Sequence, residues 1–101
     1  MEKIAFIFLA PQVDPQVHRA EVNTPNVQVT LVGVNNYAEA ALVAVEIAEQ
    51  GFSAIELCAG FGYEGVARVK QATNGKCAVG VARFDYHPSL NFKSGDSFFN
   101  D

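Results

Sequence analysis

Apolar residues along this chain switch between the period of a strand and the period of a helix, and the switches mark out its elements. Ile4 to Leu9 is a continuous apolar run rich in Phe and Ile, the pattern of a strand covered on both faces. Pro11 and the pair Asp14-Pro15 end it, and Asp14 is predicted to cap a brief helix with Pro15 in its first turn, which puts Asp14 and His18 on one side. Thr24-Pro25-Asn26 has type I turn chemistry between Arg19–Asn23 and the alternating run Val27–Val34, so these two segments are read as a hairpin. Gly33 marks a bulge or a close backbone approach.

Asn36 with Glu39 resembles a capping box, and Tyr37, Ala41, Ala44, Val45 and Ala48 recur at helical spacing until Gly51. Leu42 and Val43 flank the polar side of that helix, so part of its outer face is expected to be covered. Phe52–Cys58 reads as the next strand, with Phe52, Ala54, Glu56 and Cys58 on one face and Ser53, Ile55 and Leu57 on the other. A second helix is predicted from Tyr63, burying Val66, Val69 and Thr73 and ending at Asn74-Gly75; Cys77–Phe84 is the last strand. Strands alternating with helices imply an α/β fold, one small domain over residues 1–101 with a mostly parallel sheet of four to five strands and two main helices. Residues 86–101 form a tail that Phe98-Phe99 should dock. Right-handed crossovers place both helices on one face, leaving the other to the segment after the first strand, the tail, or another copy of the chain.

Composition adds a bias towards self-association. Half of the 101 residues are hydrophobic and 18% are charged, against about 25% charged in an average domain. The expected partner is therefore the chain itself, most simply as a homodimer. A net charge of −4 with seven Lys and Arg in no cluster argues against nucleic acid or an anionic membrane as partner. The first apolar run is too short to span a bilayer and has no signal-peptide cleavage pattern, so the expected location is cytoplasmic. Cys58 and Cys77 lack C-x-x-C spacing and read as buried free thiols.

The richest stretch for chemistry runs from Phe52 to Gly65. Gly60-Phe61-Gly62-Tyr63-Glu64-Gly65 matches G-x-G-x-x-G between a predicted strand and helix, with Asp85 following at the end of the next strand. Against a dinucleotide site, the chain is too short for two mononucleotide-binding halves and Glu64 adds negative charge beside a phosphate, so no cofactor is expected. Glu56 is a candidate base at a strand end, with Arg83 as its candidate ion-pair partner, because an unpaired buried carboxylate is costly. Cys58 with His18 or His87 is a weaker nucleophile–base candidate, and Asp14, His18, Asp85 and His87 do not have the spacing of a metal site.

Three segments, His18-Arg19-Ala20, Ala54 to Gly62 and Val79 to Asp85 with Tyr86-His87-Pro88 after it, resemble a small bacterial family of about this length and of unknown function. The resemblance implies a compact α/β fold and supplies no activity. Loops leaving parallel strands converge at their carboxyl ends, where helix N-termini also aim free N–H groups. The candidate ligand site there comprises Glu56, Cys58, Gly60, Gly62, Arg83, Asp85 and His87 with Asn35, joined by Asp14 and His18 if the first strand is parallel to the rest, and the candidate catalytic residues are Glu56, His87 and Cys58. The function read from the sequence is binding of a small polar ligand or substrate at that edge. The rival is a non-enzymatic homo-oligomeric assembly protein, and a weaker third is nucleotide-cofactor binding through Gly60–Gly65.

Overall fold

A computed structural model describes residues 1–100; Asp101, the last residue of the expected tail, lies outside the described residues. The chain forms β1 (Glu2–Leu9), β2 (Arg19–Asn23), β3 (Val27–Val34), α1 (Tyr37–Glu49), β4 (Ala54–Leu57), α2 (Tyr63–Thr73) and β5 (Ala78–Val81), followed by two short 3₁₀ turns at Pro88–Leu90 and Gly95–Ser97. One sheet takes the order β2-β3-β1-β4-β5, parallel except for β2. This is a small α/β fold. The crossovers from β3 to β4 and from β4 to β5 step the same way along the sheet, so right-handedness puts α1 and α2 side by side on one face.

The hairpin forms as its turn residues dictate. The Thr24 hydroxyl donates to the Val27 carbonyl at 2.8 Å and accepts from the Val27 N–H at 2.9 Å, closing the turn. Asn36 caps α1, its Oδ1 accepting from the Glu39 N–H at 2.9 Å. Glu39 reaches back one residue further than a capping box requires, accepting from the N–H and the amide of Asn35, each at 2.8 Å. The Asn35 amide in turn brackets Val13, which ties the loop after β1 to the start of α1.

Several sequence expectations are corrected. The segment after Pro11 forms turns and no helix: Asp14 Oδ1 accepts from the Gln16 N–H at 2.9 Å, and its carbonyl closes a single turn onto His18 at 2.7 Å. With Pro11 before it and β2 starting at Arg19, there is no room for a second turn. The buried side of α1 runs through Tyr37, Ala40, Val43, Ala44, Ile47 and Ala48, so Val43 faces the core, while Leu42 is 73% exposed. The last strand spans only Ala78–Val81, because its partner β4 ends at Leu57 and the chain turns at Ala59-Gly60.

Strand β1 is the fourth correction. Ala5 and Ile7 are fully buried with Val32, Val34, Ile55 and Leu57 beneath the helices. Ladder partners share a face, so Ile4, Phe6 and Phe8 lie on the opposite side with Val29, Leu31, Ala54 and Glu56. None of these belongs to the buried core, and no helix covers them. That side is half-buried, with Val17 and His18 lying beside Phe8 and Leu31, so the run is covered by helices on one face only.

Candidate functional site

Two cavities open at the carboxyl ends of the parallel strands, and the C-terminal tail shapes the region. Tyr37, the first residue of α1, is fully buried between Phe61, stacked at 5.4 Å, and Phe99 at 6.4 Å. Its hydroxyl accepts from the Gly62 N–H at 2.9 Å and donates to Asp96 Oδ1 at 3.0 Å. Burial pushes the phenol pKa far above its ordinary value, and the hydrogen bond to and charge of Asp96 push the same way against the opposing Gly62 N–H. The Asp96 carboxylate also accepts from the Glu64 N–H at 3.2 and 3.3 Å. Gly62 is the N-cap of α2 and has no side chain to cap it, so the cap arrives from the tail. Asn100 adds a hydrogen bond to Glu64, and the Tyr37 N–H donates to the Phe99 carbonyl at 3.2 Å.

The glycine loop is thus filled by the chain itself. A Cβ on Gly62 would lie 2.3 Å from both Asp96 Oδ1 and Ser94 Oγ, one on Gly65 would lie 2.5 Å from the Tyr37 ring, and one on Gly95 would lie 1.5 Å from the Gly60 carbonyl oxygen. At the N-terminus of α2, where a nucleotide phosphate would sit, a carboxylate already stands. A phosphate there would have to displace Asp96.

The first cavity, of about 450 Å³, lies between the ends of β1 and β4 and the first 3₁₀ turn of the tail, and Cys58, Gly60 and His87 line it. Its other walls are Leu9, Pro11, Ser89, Leu90 and Phe99. Cys58 is a half-buried free thiol whose Sγ accepts from the Leu9 N–H at 3.3 Å. His87 Nδ1 accepts from the Ser89 N–H at 3.1 Å, which assigns the ring proton to Nε2 in the neutral ring. A ring in that tautomer offers a donor; it can take a thiol proton from Cys58 only by giving up the cap on Pro88–Leu90.

The second cavity, of about 270 Å³, lies between α2 and β5 and brings Gly62, Arg83 and Asp85 together. Arg83 sits 3.7 Å over the Tyr63 ring and pairs with Asp85 at 3.1 Å. The expected Arg83–Glu56 pair is not made. Glu56 lies directly opposite Gly80 on the uncovered face, and the alternation that puts it there sends Arg83 to the helix side. Glu56 makes no hydrogen bond or ion pair within the described residues and is exposed. His18 also lies away from both cavities, beside Phe8 and Leu31, and its Nδ1 accepts from the Asp14 N–H at 2.8 Å. Asn35 is held in the bracket to Val13 and Glu39. Among the described residues no three His, Cys, Asp or Glu side chains gather as a metal site would need, and no helix is long and apolar enough to cross a membrane.

The match to a family rests on almost the whole of this framework, from the first residue of β1 to the last of the second 3₁₀ turn. The chain belongs to DUF6506, a family of unknown function, whose family model matches residues 2–97. No curated protein and no solved structure matches the chain. Membership in DUF6506 assigns no chemistry to this edge.

Sequence reasoning missed Tyr37 and Asp96, which hold the edge together. Tyr37 looked like one more apolar position on a helix. The signal for Asp96 was present in two places, a helix opening on glycine with no capping side chain and a Ser-Gly-Asp turn near the chain end.

Proposed function

We propose that this chain is a small-molecule binding domain whose site is the cavity between the ends of β1 and β4 and the tail. The observation that carries the reading is that one cavity of about 450 Å³ gathers Cys58, Gly60 and His87, within the roughly 300–1,000 Å³ typical of ligand pockets. Its walls are mainly apolar, through Leu9, Pro11, Leu90 and Phe99, with few polar groups. The His87 Nε2–H is a donor suited to a carbonyl or carboxylate, and the Cys58 thiol is a soft neighbour. The ligand class that fits is a small molecule with an apolar body and one carbonyl or carboxylate group. Glu56 and His18 have no part in this site.

A thermal-shift screen of small carboxylic acids and amides tests the reading. Ser89 lines the cavity and is exposed, so Ser89→Trp fills the space without disturbing the core. A compound that raises the melting temperature of the parent, shields Cys58 from iodoacetamide and does neither in Ser89→Trp is the expected result. Hits indifferent to Ser89→Trp, or no hits at all, would remove the support. The assembly reading is favoured by a different observation, the uncovered apolar face of the sheet.

A further inference from the structure

We infer that a recess on the helix side of the sheet, between β2, β3 and the C-terminal end of α1, binds a small hydrophilic carboxylate. It lies towards the amino ends of the parallel strands and shares no residue with the edge cavity of Cys58 and His87, so the inference does not rest on that cavity. The crossovers that carry α1 and α2 step towards β4 and β5, so β2 and the start of β3 extend past α1 and leave about 500 Å³ beside it. Ladder alternation decides which side chains face this space. Arg19 is opposite Val32, Glu21 opposite Thr30, and Lys3 shares a face with Ala5, so all stand on the side of the buried core. Ile47 and Phe52, both buried, form an apolar floor.

Two buried side-chain atoms without a partner among the described residues, Arg19 Nη2 and Thr30 Oγ1, belong to residues that wall this one recess. Folded proteins pair nearly all such atoms, so two orphans in one place call for an account. Thr30 is 8% exposed. Arg19 stands diagonal to it across the β2–β3 ladder, at the separation of about 7–8 Å over which long side chains meet. The guanidinium is fixed in advance: Nε donates to the Pro15 carbonyl at 2.7 Å, and Nη1 lies 3.5 Å from Glu46 Oε1. Nη2 is therefore a donor held in place with nothing to donate to. A group ordered before its ligand arrives loses little side-chain entropy on binding.

The donors choose the ligand. A guanidinium nitrogen can only donate and the Thr30 hydroxyl can donate beside it, so the complement is a group with two acceptor oxygens, which a carboxylate is. Lys3 supplies a second cation. Its Nζ gives one proton to the Gln50 carbonyl at 3.2 Å and lies 4.7 Å over the Phe52 ring, which leaves further protons to donate. Glu21 is the carboxylate of the lining, and its two oxygens accept from the amides of Asn23 at 3.1 Å and Gln28 at 2.6 Å. Lys3 and Arg19 are balanced by Glu21 and by Glu46 behind the guanidinium, so the recess takes one negative charge through directed donors and repels a second. With its Nε2 committed to Glu21, Gln28 keeps its amide oxygen to accept from a ligand hydroxyl. A short hydroxy acid carries both groups.

Titration of the isotope-labelled full chain with sodium lactate at constant ionic strength, followed by NMR, tests the inference. The Arg19 Nε–H and Thr30 amide signals should shift saturably, and lactamide, which lacks the charge, should bind at least about tenfold more weakly. Thr30→Val keeps the shape and removes the unpartnered hydroxyl, so the fold is not penalised. It should weaken lactate at least about tenfold, a change of about 1.4 kcal/mol, and Thr30→Ser should retain binding. Lys3→Met, at the start of β1, should weaken lactate too and decides the matter if Thr30→Val does not fold. Ser89→Trp, in the edge cavity, should leave lactate binding unchanged. An absence of saturable shifts, which would leave water as the partner of both atoms, overturns the inference. So does lactate binding that is unchanged in Thr30→Val or in Lys3→Met, matched by lactamide, exceeded by inorganic phosphate, or lost in Ser89→Trp.

Discussion

Replacing Tyr37 by Phe removes one oxygen atom and tests the whole account of the tail. The ring remains, so stacking on Phe61 at 5.4 Å and the contact with Phe99 are preserved and no cavity opens. Two hydrogen bonds are lost. The buried Gly62 N–H, which donates to the hydroxyl at 2.9 Å, is left without its acceptor, at about 1–3 kcal/mol for an orphaned buried group. Asp96 loses a donor at 3.0 Å but keeps the Glu64 N–H, so this part costs about 1 kcal/mol. The sum is about 2–4 kcal/mol, which at about 4–8 °C per kcal/mol in a domain of this size lowers the melting temperature by roughly 8–32 °C. Urea unfolding at neutral pH measures it. A double-mutant cycle with Asp96→Asn should return a coupling of about 1 kcal/mol, because the two side chains share one hydrogen bond. A loss below about 0.5 kcal/mol in Tyr37→Phe, with no coupling, would mean that the hydroxyl does not bridge α2 to the tail, and the described edge would be wrong.

Three further outcomes follow from the same structure. The folded state holds the Tyr37 phenol pKa above its ordinary value; its contribution is therefore complete at neutral pH and is lost as pH rises above about 10, at about 1.4 kcal/mol per pH unit, so urea midpoints should fall more steeply there than in Tyr37→Phe. Gly95→Ala puts a methyl group where the Gly60 carbonyl oxygen is 1.5 Å away, which should lift the tail and make the chain after Phe84 a fast target of limited proteolysis while the circular dichroism of the sheet and helices persists. Thr30 is 8% exposed and its hydroxyl has no partner among the described residues; Thr30→Val should raise stability by up to about 1 kcal/mol, and a loss of that size in a denaturant melt would show that the hydroxyl is satisfied after all.

The fold was legible where periodicity and turn chemistry act locally. Thr24-Pro25-Asn26 writes the hairpin, Asn36 and Glu39 write the start of α1, and Asn74-Gly75 ends α2 with Asn74 at φ 50 and Gly75 at φ 77. What could not be read is set by distant partners. The length of β5 depends on where β4 turns away, and the absence of a helix after Pro11 depends on where β2 begins. Glu56 and Arg83 looked like a pair because both sit near strand ends. One step of alternation sends them to opposite faces, and the strand boundaries that fix the step are beyond local pattern. Cys58, Gly60 and His87 could be grouped because a rule of topology, the convergence of loops at carboxyl ends, does not depend on those boundaries.

The glycine pattern shows how a good motif arises without the ligand it is known for. In a dinucleotide site, glycines let a backbone and a helix N-terminus approach an anion closely, since no Cβ intervenes. Here the anion is the Asp96 carboxylate, supplied by the same chain. Gly62 is needed because Asp96 and Ser94 press against it, Gly65 because the Tyr37 ring does, and a Cβ on Gly60 would lie 3.2 Å from Leu9 Cδ1. Each glycine thus has an internal contact that accounts for it, and Glu64, which would repel a phosphate, here takes a hydrogen bond from Asn100. The physical requirement behind the motif is met by the tail at Gly62, by α1 at Gly65 and by β1 at Gly60. That places the glycine loop with the elements that build the edge, beside the cavity where Cys58 and His87 line walls that Leu9 and Leu90 make apolar.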